Sequence, residues 1–274
     1  MRYVAPARGS VDPAVFQRPP LAAWREYADL LCGPDWPDVA RLDALLPPQQ
    51  RERFVAQTRA MLDDGLHYEQ RIHTQGAIAT RAANWHDLFN ALAWLRYPGI
   101  KRALNAQQVA GIAQMGPRTR SRPQYALTHF DEAGVLVAVR DPSLLALWDA
   151  HDWHGLFWRR REAWLDGSIH AEVFGHALLE HALTDGKLLV GKALAFACGD
   201  RGEAALAQRC AAGIADGTLL RDPLELRPLP LSGIPGWHAH NGSEAFHRGA
   251  ACYQPLRHGR RYPPPVPAAA SPPS

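Results

Sequence analysis

Residues 80–95 constrain the fold more than any other part of the chain. Their sequence, TRAANWHDLFNALAWL, mixes short hydrogen-bonding side chains with large aromatic ones. A helix that needed only a soluble outer face would carry Glu, Lys and Ala there. Directional polar groups set among aromatic residues are typical of the wall of a binding pocket. The stretch therefore predicts a helix that runs from Asn84 to about Leu95 and lines a site.

The start of this helix carries a capping pattern. Asn84 is a preferred N-cap residue, and Asp87 three positions later can return a hydrogen bond to the Asn84 backbone. Helix capping alone would explain both residues. A role for either residue in the site is the second possibility.

Capping does not explain His86. His86 and Asn90 are four residues apart, so they share one helix face, with Trp94 beyond them. In the first helical turn the helix dipole disfavours the charged form of a histidine. A neutral imidazole can act as a general base or as a metal ligand. The alternative is a structural histidine that is hydrogen-bonded among apolar side chains.

Arg81 precedes the helix directly. A guanidinium beside the free amides of a helix start predicts an anion-binding site. The alternative is a structural ion pair with Glu69 or Asp131.

A second polar helix start is predicted after Gly175. His176 and Glu180 are four residues apart and share a face. His181 lies five residues after His176, or about 140° around the helix. This spacing excludes the zinc-protease motif, whose histidines are four residues apart. We predict instead that His176 lies beside His86 in space.

The composition is that of a globular protein. The chain has 274 residues, 47% of them hydrophobic, and a net charge of +3. Nucleic acid is an unlikely partner at so small a charge, although Arg118, Arg120 and Arg122 form a basic loop. The N-terminus has no apolar run and no stretch approaches membrane-spanning length, which predicts a cytoplasmic protein with no membrane partner. Oligomeric state and cofactors are left unassigned.

Hydrophobic periodicity predicts a helix-rich α+β fold with a small antiparallel sheet. Residues 1–19 are predicted to be a proline-rich arm. Residues 20–261 are predicted to be a single domain whose chain is extended from about residue 221, and residues 262–274 a disordered tail. Asp131 and Glu132 are interpreted as turn residues. Hairpins are expected from strands at 67–72 and 77–80 around Gly76, and at 125–131 and 135–140. Helices are predicted at 21–31, 37–46, 98–115, 144–150, 153–165, 175–183 and 203–215.

Several short motifs are spread along the chain. They are Tyr68-Glu69 with Ile72; Gly76 with Thr80-Arg81; residues 84–92; Pro98, Lys101, Leu104 and Asn105; residues 128–132 with Gly134; residues 174–180; and residues 229–237. Together they resemble a bacterial family known as a domain of unknown function. The resemblance covers roughly residues 20–260. It implies a similar fold and no established activity.

The first functional hypothesis is a hydrolase or transferase that acts on an anionic substrate. His86 would be the general base or a metal ligand, with Asp87 orienting it and His176 as the partner acid. Arg81 would hold the anion and Asn90 would polarise the substrate. The remaining candidates for substrate binding are Asn84, Lys101 and Glu180. If a metal binds, its predicted ligands are His86 and His176.

Three alternatives stay open. A nuclease of the His-metal finger type would need a hairpin before the helix, here around Gly76 with His73 on it. A non-catalytic protein would use the same pocket to hold a small molecule or a partner. A purely structural polar cluster would require full burial of His86 and Asn90 with all their hydrogen bonds satisfied.

Overall fold

The computed structural model describes residues 3–198 and 203–267 and has the predicted helix-rich α+β class. Its helices are α1 (Ala28–Leu31), α2 (Val39–Asp43), α3 (Arg59–Leu62), α4 (Tyr68–Gln75), α5 (Trp85–Arg96), α6 (Pro98–Met115), α7 (Arg122–Ala133), α8 (Pro142–Asp149), α9 (Arg161–Leu165), α10 (His176–His181), α11 (Glu203–Ala215) and α12 (Glu244–Gly249). The strands are β1 (Arg53–Ala56), β2 (Ala77–Thr80), β3 (Gly134–Val139), β4 (Ile169–Val173), β5 (Val190–Ala197) and β6 (Arg227–Pro230). Within the described residues, no helix is both long and apolar enough to cross a membrane.

The larger sheet is mixed, and the prediction of a purely antiparallel sheet was wrong. Its strand order is β4-β3-β5-β6, with β3 antiparallel to β4 but parallel to β5. Strand β3 is an apolar run, and Val135, Leu136 and Val137 are all fully buried. Burial on both faces is typical of an interior strand with a parallel neighbour. The sheet is therefore the centre of the core.

The edge of this sheet is formed by β6. Pro228 and Pro230 lie in this strand, where the missing amide protons do no harm because one side of an edge strand needs no partner. Val266, in the predicted tail, forms a parallel bridge with Phe196 of β5. Residues 268–274, the rest of that tail, lie outside the described residues.

The smaller sheet pairs β1 and β2 in parallel, with Phe54 opposite Ile78. Parallel strands need a crossover connection, and residues 57–76 supply it with α3 and α4. The predicted strand at 67–72 and its hairpin were therefore wrong. Gly76 has φ +69° and ends α4 as a left-handed cap. A glycine with positive φ serves a hairpin or a helix end equally well, so its presence did not distinguish them.

The predicted hairpin at residues 125–140 was also wrong, because its first half is helix α7. Ser121 caps this helix in a capping box with Gln124, and Pro123 follows at the helix start. Ala126, Leu127 and Phe130 are buried, which is the spacing of one helix face. Tyr, Thr and Phe favour strands in isolation, but packing of this face decides the structure.

The other predicted helices are present in whole or in part, although their ends differ by a few residues. Together with the sheet, these helices enclose an aromatic core that lies beneath the polar residues predicted to form the site. Phe174, at the end of β4, stacks on Phe130 with ring centroids 5.3 Å apart, and Tyr97 meets it edge-on at 5.6 Å. In the predicted N-terminal arm, Val15 and Phe16 are buried in the same core. This core therefore holds in place the helices and strands that carry the polar residues.

Candidate functional site

Helix α5 begins as the sequence predicts. The Asn84 side chain caps it, accepting a hydrogen bond from the Asp87 amide at 3.0 Å. The Asp87 carboxylate, however, does not return to Asn84. It accepts from the Arg81 amide at 2.6 Å and from the Arg81 guanidinium at 2.6 and 3.0 Å. Asp87 therefore fixes the chain entering the helix, and the partner of Arg81 is neither Glu69 nor Asp131.

The predicted meeting of His86 and His176 is confirmed. Their Nε2 atoms are 3.1 Å apart and their rings are tilted at 75°. The other nitrogen of His86, Nδ1, lies 3.2 Å from a carboxylate oxygen of Glu180. The carboxylate that orients His86 is thus that of Glu180, which the sequence placed in substrate binding, and not that of Asp87.

The two imidazoles have opposite electrostatic environments. The hydrogen bond that His86 Nδ1 makes to the Glu180 carboxylate raises the pKa of His86, and the nearby carboxylate of Glu132 adds to this. His176 is 3% exposed, and burial lowers its pKa to about 3. A ring that is neutral at pH 7 does not fit the predicted role of acid. It fits a proton acceptor or a metal ligand.

Two glycines bring the elements around His176 together. A Cβ on Gly175 would lie 2.4 Å from the Gly134 nitrogen and 2.5 Å from the Ala133 Cα, so only glycine permits this approach. The Gly175 amide donates to the Gly134 carbonyl at 2.9 Å. The contact sets the last turn of α7 beside the first turn of α10. Asp131 and Glu132, interpreted from the sequence as turn residues, therefore lie on a helix beside the site.

A chain of buried hydrogen bonds crosses the site behind the histidines. Asn90 donates from Nδ2 to the Tyr68 hydroxyl at 3.0 Å, and its Oδ1 accepts from Lys101 Nζ at 2.8 Å. Lys101, only 5% exposed, also donates to Asp131 at 2.6 Å. Asp131 Oδ1 in turn lies 3.9 Å from His176 Nδ1. Lys101 is thus tied to the site by an ion pair in which the lysine is buried and the aspartate is partly exposed.

A second, partly buried acid lies farther along the cavity. Asn105 donates from Nδ2 to the carboxylate of Glu69 at 2.7 Å, and burial raises the pKa of Glu69. Near this end, Thr119 and Arg120 of the loop after α6 line the cavity. Glu69 and Asn105 were not predicted as site residues, although both belong to the sequence motifs. Tyr68 was missed in the same way.

These residues surround one polar cavity of about 400 Å³. Cavities that hold small molecules start at roughly this size. The row of His86, Asn90 and Trp94 lines it, as helical spacing predicts. The cavity is therefore wider than the predicted pocket at two helix starts, since α4, α6 and α7 also contribute to it.

A group of three possible metal ligands lies at one end of the cavity. Ligand atoms of His86, Glu132 and His176 all lie within 4.8 Å of one another. Glu132 was not predicted in this role. The signal that would have found it is helical spacing, because Gln124, Thr128 and Asp131 line the same cavity from α7.

Two alternatives from the sequence analysis do not fit this geometry. The nuclease interpretation needs a hairpin that carries His73, but His73 lies on α4 and the strands before α5 are parallel. The structural interpretation needs His86 to be buried, but its side chain is 32% exposed.

A family model described as "Protein of unknown function (DUF3025)" matches residues 52–257. The match contains every residue assigned to the site above, from Tyr68 to Glu180. No curated protein and no solved structure matches the chain.

Proposed function

Because the chain belongs to this family of unknown function, we propose its activity from the geometry of the cavity: a hydrolase or transferase that acts on an anionic substrate at His86. The observation that supports this most is the contact of His86 with two different partners. Nδ1 faces Glu180 at 3.2 Å, and Nε2 lies 3.1 Å from His176 beside a polar cavity.

The His86–Glu180 contact suits general-base catalysis. A carboxylate on Nδ1 holds a proton there, which leaves the Nε2 lone pair free to accept a proton from water or from an acceptor hydroxyl. As that oxygen bonds to the substrate, the bond to the leaving group breaks. The proton then passes from Nε2 to the leaving group, and Glu180 stabilises the imidazolium in between.

The cations of the cavity suit an anionic substrate. Lys101 Nζ has three donors, of which Asn90 and Asp131 take two. Arg81 contacts Asp87 through Nε and Nη2, so Nη1 is left for a ligand. Arg120 adds a third positive charge at the far end. If the charged group of a substrate binds Lys101 or Arg81, the bond that reacts would lie near His86.

A panel of chromogenic esters, phosphate esters and anilides of acidic groups tests this proposal on the full chain. We expect turnover of at least one anionic member. His86→Ala should lower kcat/KM by about 10²–10⁴-fold, the usual contribution of a positioned acid–base group. His240→Ala, at an exposed histidine outside the cavity, is the matched control and should retain full activity.

Two results would contradict the proposal. One is His86→Ala turning over the substrate as fast as the wild type. The other is a wild type that turns over nothing but retains a small molecule through purification, detected by native mass spectrometry, which would favour the non-catalytic binding protein.

A further inference from the structure

We infer that the site binds a divalent transition metal ion, with Zn²⁺ as the first candidate, through His86 Nε2, His176 Nε2 and the carboxylate of Glu132. The assignment rests on the proposed function, because it keeps a hydrolase or transferase reaction at this site. It changes the role of His86, since Nε2 would hold the ion and a water bound to the ion would replace Nε2 as the source of the base. The group is set on three different helices, α5, α7 and α10, and lies at the end of a cavity. It therefore combines convergent ligands with room for a water molecule or a substrate.

The distances fit a shared ion. Two imidazole nitrogens on one tetrahedral zinc, each at about 2.0–2.1 Å, are about 3.4 Å apart. The two Nε2 atoms here are 3.1 Å apart. The Glu132 carboxylate lies 3.8 Å from His176 Nε2. Its side chain is 42% exposed, so a small rotation brings it into ligand distance.

The hydrogen-bonding pattern of the rings leaves two lone pairs facing each other. Glu180 holds the proton of His86 on Nδ1, which makes Nε2 an acceptor. Nδ1 of His176 is buried, makes no hydrogen bond within the described residues and faces Asp131. A proton on this atom is favoured by the Asp131 carboxylate, and it makes the His176 Nε2 an acceptor as well. Two acceptors 3.1 Å apart need either a proton on one of them or an ion bound by both.

The second nitrogen of each histidine faces a carboxylate. A ligating histidine commonly directs its second nitrogen at a carboxylate, which fixes the ring and strengthens it as a ligand. The Glu180 carboxylate is within hydrogen-bond distance of His86 Nδ1, at 3.2 Å, whereas the Asp131 carboxylate lies 3.9 Å from His176 Nδ1 and acts on it through charge alone. Each ring thus has a carboxylate on its Nδ1 side and the position of the proposed metal ion on its Nε2 side.

The charge of the site also favours a cation. Asp131 is matched by Lys101, and Asp87 by Arg81. Within the described parts of the chain, the ion-pair contacts of Glu132 and Glu180 are with histidines. With neutral rings the two glutamates leave a charge of about −2, which a divalent ion would cancel. The ion would also provide the positive charge that an anionic substrate needs here.

The ligand types select among metals. Two imidazoles and one carboxylate are the donors of zinc hydrolases, and the same set binds Fe²⁺ in oxygenases. Mg²⁺ and Ca²⁺ prefer oxygen ligands and fit poorly. When bound, Zn²⁺ would lower the pKa of a coordinated water to about 7 and so generate hydroxide. Orientation of the rings would remain the task of Glu180 and Asp131.

Metal binding can be measured without any substrate. The tag-free full chain is stripped with a chelator and titrated with Co²⁺, whose visible spectrum reports coordination, and then with Zn²⁺ by calorimetry. We expect one ion per chain, with Zn²⁺ displacing Co²⁺. Glu180→Gln should weaken binding by about 10–100-fold, as loss of an outer partner does. His176→Ala and Glu132→Gln should weaken it more.

Folding is separated from binding by two controls. His240→Ala should bind like the wild type. Glu132→Gln keeps the shape of a partly exposed side chain, so its metal-free melting temperature should equal that of the wild type, while Zn²⁺ should raise the melting temperature of the wild type alone.

The outcomes distinguish this inference from the proposed function. A wild type that takes up neither ion, or a Glu132→Gln variant that binds as tightly as the wild type, overturns the metal site. Turnover that persists in the stripped protein and still depends on His86 overturns it too, while supporting the proposed function. Stoichiometric binding that is lost in the variants supports the metal site, even in a protein that hydrolyses nothing.

Discussion

Histidines cluster in two regions of this molecule, and the two clusters differ in how their ring nitrogens are used. In the site, the Nε2 atoms of His86 and His176 face each other beside a cavity. In the C-terminal histidine cluster, His151 and His247 are linked through the neighbouring rings of Trp153 and Tyr253, and each of their ring nitrogens contacts another group of the chain. His247 contacts the Tyr253 hydroxyl and the Asn241 carbonyl; His151 contacts the Gln254 carbonyl and the Tyr262 hydroxyl.

The comparison shows what distinguishes a histidine with a structural role from one that can bind a ligand. Burial does not, since His176 is 3% exposed and His247 is 1% exposed. The difference lies in the partners. A hydroxyl and a carbonyl satisfy both nitrogens of His247, so a ligand would have to displace a hydrogen bond that the fold already has. Among the described residues, the Nε2 atoms of the site histidines have only each other within hydrogen-bond distance, with the Glu132 carboxylate at 3.8 Å from His176 Nε2.

The largest expected effect tests the ion pair of Lys101 with Asp131 in the site, in which the lysine is 5% and the aspartate 25% exposed. Lys101→Met leaves this partly buried carboxylate without its ion-pair partner. We expect this to lower the free energy of unfolding by about 3–5 kcal/mol, measured by urea denaturation. Arg18→Met breaks the exposed pair with Asp185 and should cost about 0–1 kcal/mol. Equal losses in the two variants would show that the site pair is not energetically buried.

A smaller effect tests the structural role of the second cluster. His247→Ala leaves the Tyr253 hydroxyl and the Asn241 carbonyl without their partner. Loss of a buried hydrogen-bond partner costs about 1–3 kcal/mol, so unfolding should occur at lower urea concentration. The folded variant should retain the full activity and metal affinity of the wild type. If His247→Ala removed activity from correctly folded protein, the division of roles between the two clusters would be wrong.

The smallest effect is a pH dependence in the second cluster. Burial lowers the pKa of His247 below its ordinary value of 6.5, and the charges of Arg161 and His154 act in the same direction, whereas the Asn241 carbonyl opposes them. In the unfolded chain this ring takes up a proton near pH 6.5. Its contribution to stability is therefore complete above that pH and declines as the pH falls below it.

His247→Gln removes this titration. The loss of unfolding free energy between about pH 7.5 and about pH 5.5 should therefore be larger in the wild type than in the variant. Identical losses, measured by urea denaturation at the two pH values, would mean that His247 titrates alike in both states.

The sequence predicted the parts of the site that depend on local signals. Asn84 as a cap and the row of His86 and Asn90 follow from helical spacing within a few residues. The approach of His176 to His86 was predicted because both open a polar helix. Local signals also identified Glu180 as a site residue. Its predicted role was substrate binding, whereas its contact in the structure is with the His86 ring.

What the sequence did not predict depends on distant parts of the chain. Asp131 and Glu132 beside Gly134 have the composition of a turn, and only the packing of Phe130 in the core makes the segment a helix. Likewise, the strands β3 and β5 are parallel because of the connections between them, which residue preferences within each strand do not encode.

The contact of Gly134 with Gly175 has a consequence for motion. The Gly134 carbonyl accepts hydrogen bonds from the amides of both Phe174 and Gly175, so the chain that carries Glu132 and the chain that carries His176 are joined through their backbones. The backbones beneath these two side chains are therefore expected to move together with the central sheet. A change in the gap between the histidines would come from rotation of a ring or from a displacement of the helix that carries His86.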